Sequence, residues 1–178
     1  MIKSLRTISE NQSFVQREID GREISIENLN VQFSFANPKY LIDTNLSKTY
    51  LSKPLVRFKS ESLFGELAIL RYLQMDGWDG VWVDTFHGRG VKKVFWSGMP
   101  PEGSSRLPKH AESLYDKIVD ENGMKSSGFF DVFAWKDRKY IFIEYKGKGD
   151  SSNQNEKRWI KSALKCGIKL EQLFFASY

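Results

Sequence analysis

The chain contains 178 residues, of which 40% are hydrophobic, and this is enough to bury the core of one domain. Its formal net charge of +5 is compatible with a polyanionic partner such as nucleic acid. A single cysteine, Cys166, excludes an internal disulfide framework and a cysteine-based zinc cluster, and no apolar run reaches membrane-spanning length, so we expect a soluble, cytoplasmic protein that is not a membrane protein.

Residues 1–55 predict a β-leaning extension of the main domain. Ile24–Ile26 and Val31–Phe35 alternate apolar and polar residues as half-buried strands do, and Asn37-Pro38 ends the second segment. The extension carries no recognisable motif. It is therefore an oligomer arm, a DNA-binding lip or a structural cover, and the last of these is the simplest interpretation.

Ser60–Met75 predicts an amphipathic helix that Ser60 caps and Asp76-Gly77 ends. The buried stripe consists of Leu63, Leu67, Leu70 and Leu73. Glu66 lies on the same stripe, and a carboxylate that faces a core needs a partner. Glu61 is the competing site acid, although the helix dipole alone favours an acid in the first turn. We prefer Glu66.

Two further strands and a helix follow this first helix. Gly80–Phe86 predicts a strand, and its Asp84 either approaches the site as an extra acid or bonds locally near the strand end. Val91–Trp96 predicts another strand. Lys109–Asn122 predicts a helix that Gly123 ends.

A small basic cluster lies within this region. Arg89, Lys92 and Lys93 suit contacts with phosphate groups, although such clusters are more often only solvated. We assign residues 56–178 to the main domain and treat 87–127 as an insertion within it.

Phe129–Trp135 and Tyr140–Lys146 are rich in aromatic and β-branched residues and predict a hairpin with a short polar loop. If the last residue of the first strand faces the first residue of the second, Asp131 faces Glu144, about 5 Å away. Lys146 follows on the same face as Glu144, about 7 Å along the strand. The other side chains are mostly apolar, so both faces of the hairpin should be covered.

Two opposed carboxylates in apolar surroundings repel each other unless one is protonated or a cation lies between them. One interpretation is that Lys146 neutralises Glu144 while Asp131 lies near an exposed strand end. The better explanation is a divalent cation, because oxygen ligands suit Mg²⁺ or Mn²⁺. Lys146 would then orient an attacking water or stabilise developing negative charge, as phosphodiester hydrolysis requires.

A basic turn and a helix follow the hairpin. Lys148 lies in the turn, and a capping box beginning at Ser151 predicts the helix start. The buried stripe of this helix contains Trp159, Ile160, Ala163 and Leu164. Lys157 and Arg158 face outward and are available to nucleic-acid phosphates. Leu170–Ala176 predicts the last strand.

The stretch from Gly128 to about Phe175 resembles the VRR-NUC branch of the PD-(D/E)XK nuclease superfamily. The residues that carry the resemblance are Asp131, Glu144-Tyr145-Lys146, Gly147, Asp150, Gln154, Trp159 and Gly167. One departure is Phe130, where the family usually has a proline before the metal-binding aspartate. Because that proline shapes the backbone and ligates nothing, the substitution affects the resemblance more than the chemistry.

The resemblance implies a restriction-endonuclease-like αβββαβ core, which is an α/β (α+β) fold with a mixed sheet. It implies that Asp131 and Glu144 bind Mg²⁺ or Mn²⁺, with the backbone carbonyl of Tyr145 as a further ligand. Glu66 matches the first-helix acid that such nucleases place beside the metal. Gln154 matches the glutamine of the family motif, and we expect it near the site.

We therefore expect a metal-dependent nuclease whose substrate is DNA, with branched or flapped DNA and a homodimer suggested by the resemblance alone. The alternative is a nucleic-acid-binding or assembly module whose nuclease fold no longer cuts. A plain α/β domain with a coincidental motif would have to explain the paired carboxylates, Glu66 and the helix motif as separate accidents.

Overall fold

The computed structural model describes residues 2–36, 50, 53–85, 94–100, 103–147, 150 and 153–178. Its helices are α1 (Lys3–Arg6), α2 (Gly65–Met75), α3 (Lys109–Glu121) and α4 (Gln154–Lys165). Its strands are β1 (Ser9–Ile19), β2 (Arg22–Val31), β3 (Leu55–Phe58), β4 (Glu61–Phe64), β5 (Asp79–Asp84), β6 (Val94–Trp96), β7 (Ser104–Ser105), β8 (Val132–Lys136), β9 (Lys139–Lys146) and β10 (Leu173–Ser177). None of the described helices is long and apolar enough to cross a bilayer.

Eight of these strands form one mixed sheet in the order β1-β2-β10-β9-β8-β5-β6-β7. β10 runs parallel to both of its neighbours, and the other pairs are antiparallel. Along the chain, α2, β5, β8, β9, α4 and β10 reproduce the αβββαβ order. The predicted α/β class and mixed sheet are therefore confirmed.

The hairpin β8–β9 lies between two hydrophobic layers. Its alternate side chains, such as Val132 and Ile143, join the cluster that contains the buried face of α2. Phe133 and Phe142 point to the opposite cluster, which contains buried residues of α3 and α4, and their rings stack with centroids 4.8 Å apart. The prediction that both faces are covered is confirmed, because the period of two sends successive side chains into different cores.

The predicted hairpin register is confirmed. Trp135 pairs with Tyr140, and the two loop residues Asp137 and Arg138 have φ of 48° and 60°, as a type I′ turn requires. The predicted strand start at Phe129 is wrong, since β8 begins three residues later. Phe129 and Phe130, which precede β8, pack instead on the ring of Trp159, at centroid distances of 5.0 and 4.4 Å respectively.

The first long helix begins later than predicted. Ser60 does not cap it, because β3 and β4 form a separate antiparallel pair around Ser60, and α2 starts only at Gly65. Leu63 and Phe64, both buried, occupy the end of β4. The predicted end is confirmed, since Asp76 is the C-cap and Gly77 follows with φ of 77°.

The N-terminal region contributes more strand than its sequence indicates. The 11-residue strand β1 and its partner β2 form a hairpin, and β2 pairs in parallel with β10. This hairpin thus extends the central sheet. Of the predicted segment Val31–Phe35, only Val31 lies in β2, while Phe35 makes an isolated bridge to Val56. Asn37-Pro38 lies outside the described residues.

The remaining elements follow the predictions with shifted ends. Val94–Trp96 is the described part of the strand predicted from Val91, and α3 ends at Glu121. The capping box from Ser151 is wrong, because the side chain of Asn153 caps α4 by accepting the backbone N–H of Glu156 at 3.0 Å.

Gly65→Ala tests the packing of α2 against the hairpin. A Cβ atom on Gly65 would lie 2.2 Å from Cε1 of Tyr145, so the ring or the helix must move. We expect the free energy of unfolding, measured by urea denaturation, to fall by about 1–3 kcal/mol. Met75→Ala, at an exposed position of the same helix, is the control and should change stability by less than about 0.5 kcal/mol. Equal effects would contradict the predicted steric clash.

Candidate functional site

One cavity of about 510 Å³ is lined by all of the predicted catalytic and metal-binding residues except Gln154. It lies where α2 begins, β8 begins, β9 ends and the residues before α4 approach. Its lining residues are Lys53, Pro54, Gly65, Glu66, Asp131, Glu144, Tyr145, Lys146, Gly147, Asp150, Asn153 and Tyr178. The hairpin supplies two acids and a lysine, and the first long helix supplies the third acid.

Asp131 is fixed by backbone hydrogen bonds immediately before β8. Its carbonyl oxygen accepts the N–H of Val83 at 2.7 Å, and its Oδ2 accepts the N–H of Tyr145 at 2.9 Å. Burial raises the pKa of the Asp131 carboxyl well above its usual value, and the charges of Glu144 and Glu66 raise it further. The hydrogen bond therefore holds this acid in a region of concentrated negative charge.

Glu144 lies near the end of β9, next to Lys146. Burial raises the pKa of Glu144 to about 7, although the ammonium of Lys146 opposes the shift. The Lys146 Nζ atom lies 2.9 Å from Glu144 Oε1. The ion pair considered from the sequence is thus present, and it coexists with the half-buried Asp131.

Lys146 also contacts a carboxylate that the sequence analysis missed. Its Nζ atom lies 2.8 Å from Oε2 of Glu156, whose other oxygen lies 2.7 Å from Nε of Arg17 on β1. Burial alone would lower the pKa of Lys146, but Glu144 and Glu156 raise it above its ordinary value. Lys146 is therefore a charged ammonium held between two acids.

The sequence contained a signal for Glu156 but none for Arg17. Glu156 precedes Trp159, Ile160 and Ala163 at the spacing of one helix face, and it is 1% exposed. Like Glu66, Glu156 is a carboxylate on a buried stripe of a helix and therefore needs a partner. Arg17 lies 139 residues away in the chain, and only the sheet topology brings it to Glu156.

Glu66 enters the cavity from the first turn of α2 and forms an ion pair with Lys53. Its Oε2 atom is buried and has no hydrogen-bond partner among the described residues. Glu61 is instead a strand residue whose carboxylate is 3.6 Å from the Arg71 guanidinium. Of the two acids considered, Glu66 is the one that lines the cavity. The sequence analysis did not identify Lys53, which precedes β3.

Tyr145, which lies between Glu144 and Lys146 on β9, lines the cavity, but Gln154 does not line it. Gln154 lies in the first turn of α4 and borders a separate hollow of about 440 Å³ together with Lys157 and Arg158. Because the neighbouring Asn153 does line the site cavity, the expected position of Gln154 near the site stays a prediction. The helix turns Glu156 toward the hairpin and leaves Gln154 exposed.

The predicted basic residues are only partly described. Arg89, Lys92, Lys93 and Lys148 lie outside the described residues. The Arg158 guanidinium donates to Asn122 Oδ1 and Ser127 Oγ, both at 3.0 Å, so it also anchors α4 to the segment after α3.

Asp84 bonds locally near the end of its strand, which is one of the two roles considered from the sequence. Its Oδ2 atom accepts the hydroxyl of Tyr50 at 2.6 Å and the indole N–H of Trp96 at 3.3 Å. The buried carboxylate is therefore engaged by neighbouring aromatic residues near the end of β5.

The donor chemistry of the cavity fits a hard divalent cation. Within the ranges that the structure describes, no three His, Cys, Asp or Glu side chains are already assembled as a metal cluster. The carboxylates of Glu66, Asp131 and Glu144 nevertheless line the same cavity together with the exposed carboxylate of Asp150, and the buried Oε2 of Glu66 has a free acceptor position among the described groups. Oxygen donors of this kind are those that Mg²⁺ and Mn²⁺ prefer.

Comparison with protein families matches residues 91–173 to the VRR-NUC domain. The matched span contains Asp131, Glu144, Lys146 and Glu156, whereas Glu66 is contributed from outside it. No curated protein and no solved structure gives a significant match.

Glu144→Gln tests the electrostatic cost of the acid pair in metal-free protein. Because the folded state raises the pKa of Glu144 to about 7, it binds the proton more tightly than the unfolded state, and stability falls as pH rises from about 4.5 to 7. In EDTA at pH 8, we expect the variant to be more stable by about 1–3 kcal/mol and to melt a few degrees higher.

At pH 4.5 the stability difference between Glu144→Gln and wild type should largely disappear, because Glu144 is protonated in the folded wild-type protein at that pH. Glu121→Gln is the control, because Glu121 pairs with Lys165 at an exposed surface. A gain that is equal at both pH values would contradict the electrostatic explanation.

Proposed function

Because the chain carries a VRR-NUC domain, a nuclease-associated family, we propose that it is a Mg²⁺- or Mn²⁺-dependent nuclease that hydrolyses phosphodiester bonds in DNA. The observation that carries the proposal is the convergence of Asp131, Glu144 and Lys146 in one cavity with the helix acid Glu66. The family match does not include Glu66, so its position supports the proposal independently of the motif.

In this proposal, Asp131 and Glu144 hold the metal ion, while Glu66 and the backbone carbonyl of Tyr145 provide further oxygen donors. A divalent cation supplies charge that activates water and stabilises negative phosphate oxygens. The partly buried hydrogen bond from the Tyr145 N–H to Asp131 orients that carboxylate before any ligand arrives. Asp131 therefore presents a pre-organised oxygen toward the cavity.

Lys146 is the group that acts on the reacting phosphate. Its ammonium remains protonated, since two carboxylates raise its pKa, and it can donate hydrogen bonds to an attacking water or a phosphate oxygen. Glu156 is a positioning residue, because it fixes Lys146 on one side and is itself fixed by Arg17. The linked ion pairs from Arg17 through Glu156 would keep the Lys146 ammonium at the cavity when Glu144 binds a metal ion instead.

The outward basic residues of α4 provide a path for the nucleic-acid backbone. Lys157 borders the second hollow beside Lys161 and Arg158, and these positive groups suit phosphate contacts. Arg89, Lys92, Lys93 and Lys148 remain proposed phosphate contacts from the sequence. Branched or flapped DNA and a homodimer are the finer proposals, and both derive from the family resemblance.

Asp131→Asn and Lys146→Met test the nuclease proposal directly. We expect Mg²⁺- or Mn²⁺-dependent cleavage by wild type, and a loss of kcat of about 100-fold or more in each variant, because each removes a charge that acts in the transition state. Gel assays should include linear, single-stranded, flapped and four-way DNA as well as RNA.

Lys165→Met is the matched control, since it removes one positive charge from a surface pair with Glu121. It should cleave at nearly the wild-type rate. Tight DNA binding by wild type without cleavage of any substrate would contradict the proposal and favour a binding module that no longer cuts.

Glu156→Gln tests the positioning of Lys146. The amide retains the size of the side chain but weakens the link from Arg17 to Lys146, and we expect kcat to fall about 10- to 100-fold with little change in KM. The acidic limb of the pH profile should also move to lower pH, because the charge of Glu156 is one of the causes that raise the pKa of Glu144. An unchanged rate and profile would show that Glu156 is only structural.

A further inference from the structure

Lys53 is a charged residue inside the candidate site that neither the motif nor the family match assigns. It precedes β3, far outside the matched residues 91–173, yet its ammonium forms an ion pair with Glu66 in the cavity. The same ammonium lies 4.5 Å from the ring centroid of Trp82, at the distance of a cation–π contact. Lys53 is therefore held in the acidic cavity by two different partners.

The charge of Lys53 partly balances the three carboxylates. It opposes the rise in the pKa of Asp131 that burial, Glu144 and Glu66 produce. Burial lowers the pKa of Lys53, but Glu66, Asp131 and Asp84 together raise it above its ordinary value, with Glu66 the largest of the three. The ammonium thus supplies the type of charge compensation that a metal ion would supply at Glu66.

The two partners differ in their freedom to move. The side chain of Glu66 is 5% exposed and is anchored in the first turn of α2, whereas that of Lys53 is 34% exposed. A lysine has a flexible four-carbon stem, so its ammonium can leave the carboxylate and remain in water. Separation of this pair therefore requires movement of Lys53 and not of the helix.

We propose that Lys53 is an internal counter-ion that competes with the divalent cation for Glu66 and so sets the metal concentration at which the site fills. The inference rests on the proposed function, because it concerns the metal site of the nuclease. It adds a specificity-determining residue from the segment before the main domain. Lys53 engages Oε1 of Glu66 and leaves Oε2 unpartnered, so a metal ion at Oε2 would share the carboxylate with the ammonium, and the two positive charges would repel each other.

Lys53→Met tests the competition by removing the charge while retaining a flexible apolar stem. We expect it to bind Mn²⁺ about tenfold more tightly than wild type in isothermal titration calorimetry, because the Lys53 ammonium no longer repels the metal ion at the shared carboxylate of Glu66. Lys53→Arg keeps a cation in the cavity and should stay close to wild-type affinity. Lys165→Met is the control for the loss of one charge and should also match wild type.

A measurement on wild-type protein does not depend on the folding of any variant. The acetylation rate of each lysine is followed by mass spectrometry with and without saturating Mg²⁺. We expect the rate at Lys53 to rise severalfold with Mg²⁺, because its ammonium is released to solvent, while the rate at Lys165 stays constant.

Unchanged or weaker Mn²⁺ binding by folded Lys53→Met would overturn the proposal, as would a Lys53 acetylation rate that does not respond to Mg²⁺. If wild type cleaves DNA but Lys53→Met shows wild-type Mn²⁺ affinity, only the role of Lys53 fails. If wild type and Lys53→Met both fail to bind Mn²⁺ and wild type cuts nothing, the metal-dependent nuclease assignment fails with it.

Discussion

The repulsion among carboxylates that are buried or half-buried is the constraint on which the candidate site depends. Asp131, Glu144 and Glu66 line one cavity, and burial raises the pKa of the first two. In the described structure, Lys146 and Lys53 supply the compensating charge. A group of acids that is costly to assemble favours an added cation, so the proposed metal site would draw its affinity from a feature that destabilises the fold.

The sheet turns this constraint into a defined geometry. The hairpin is buried on both faces, so its side chains alternate between two cores until they reach the strand end, where they become half-buried. Glu144 and Lys146 share one strand face, and α4 places Glu156 against Lys146. Tyr145 points the other way and contacts the start of α2, which positions Glu66.

The features that local sequence determines were predictable, and those that depend on long-range packing were not. The hairpin register follows from alternation and turn length, and Glu66 was identified as an acid on an apolar stripe. Glu156 is also an acid on an apolar stripe, but it was not predicted as a site residue. Lys53 and Arg17 carry no local pattern, since their partners are determined by the tertiary fold.

The position of Arg17 has a consequence for how the chain is divided. The ion pair between Arg17 and Glu156 connects the first strand of the N-terminal region, β1, with a helix 139 residues later, and β2 lies beside the final strand. A fragment cut at the limits of the matched domain would keep Asp131, Glu144 and Lys146 but lose Glu66, Lys53 and Arg17. The proposed catalytic unit is thus larger than its recognisable motif, and it is completed only when both ends of the chain have joined the same sheet.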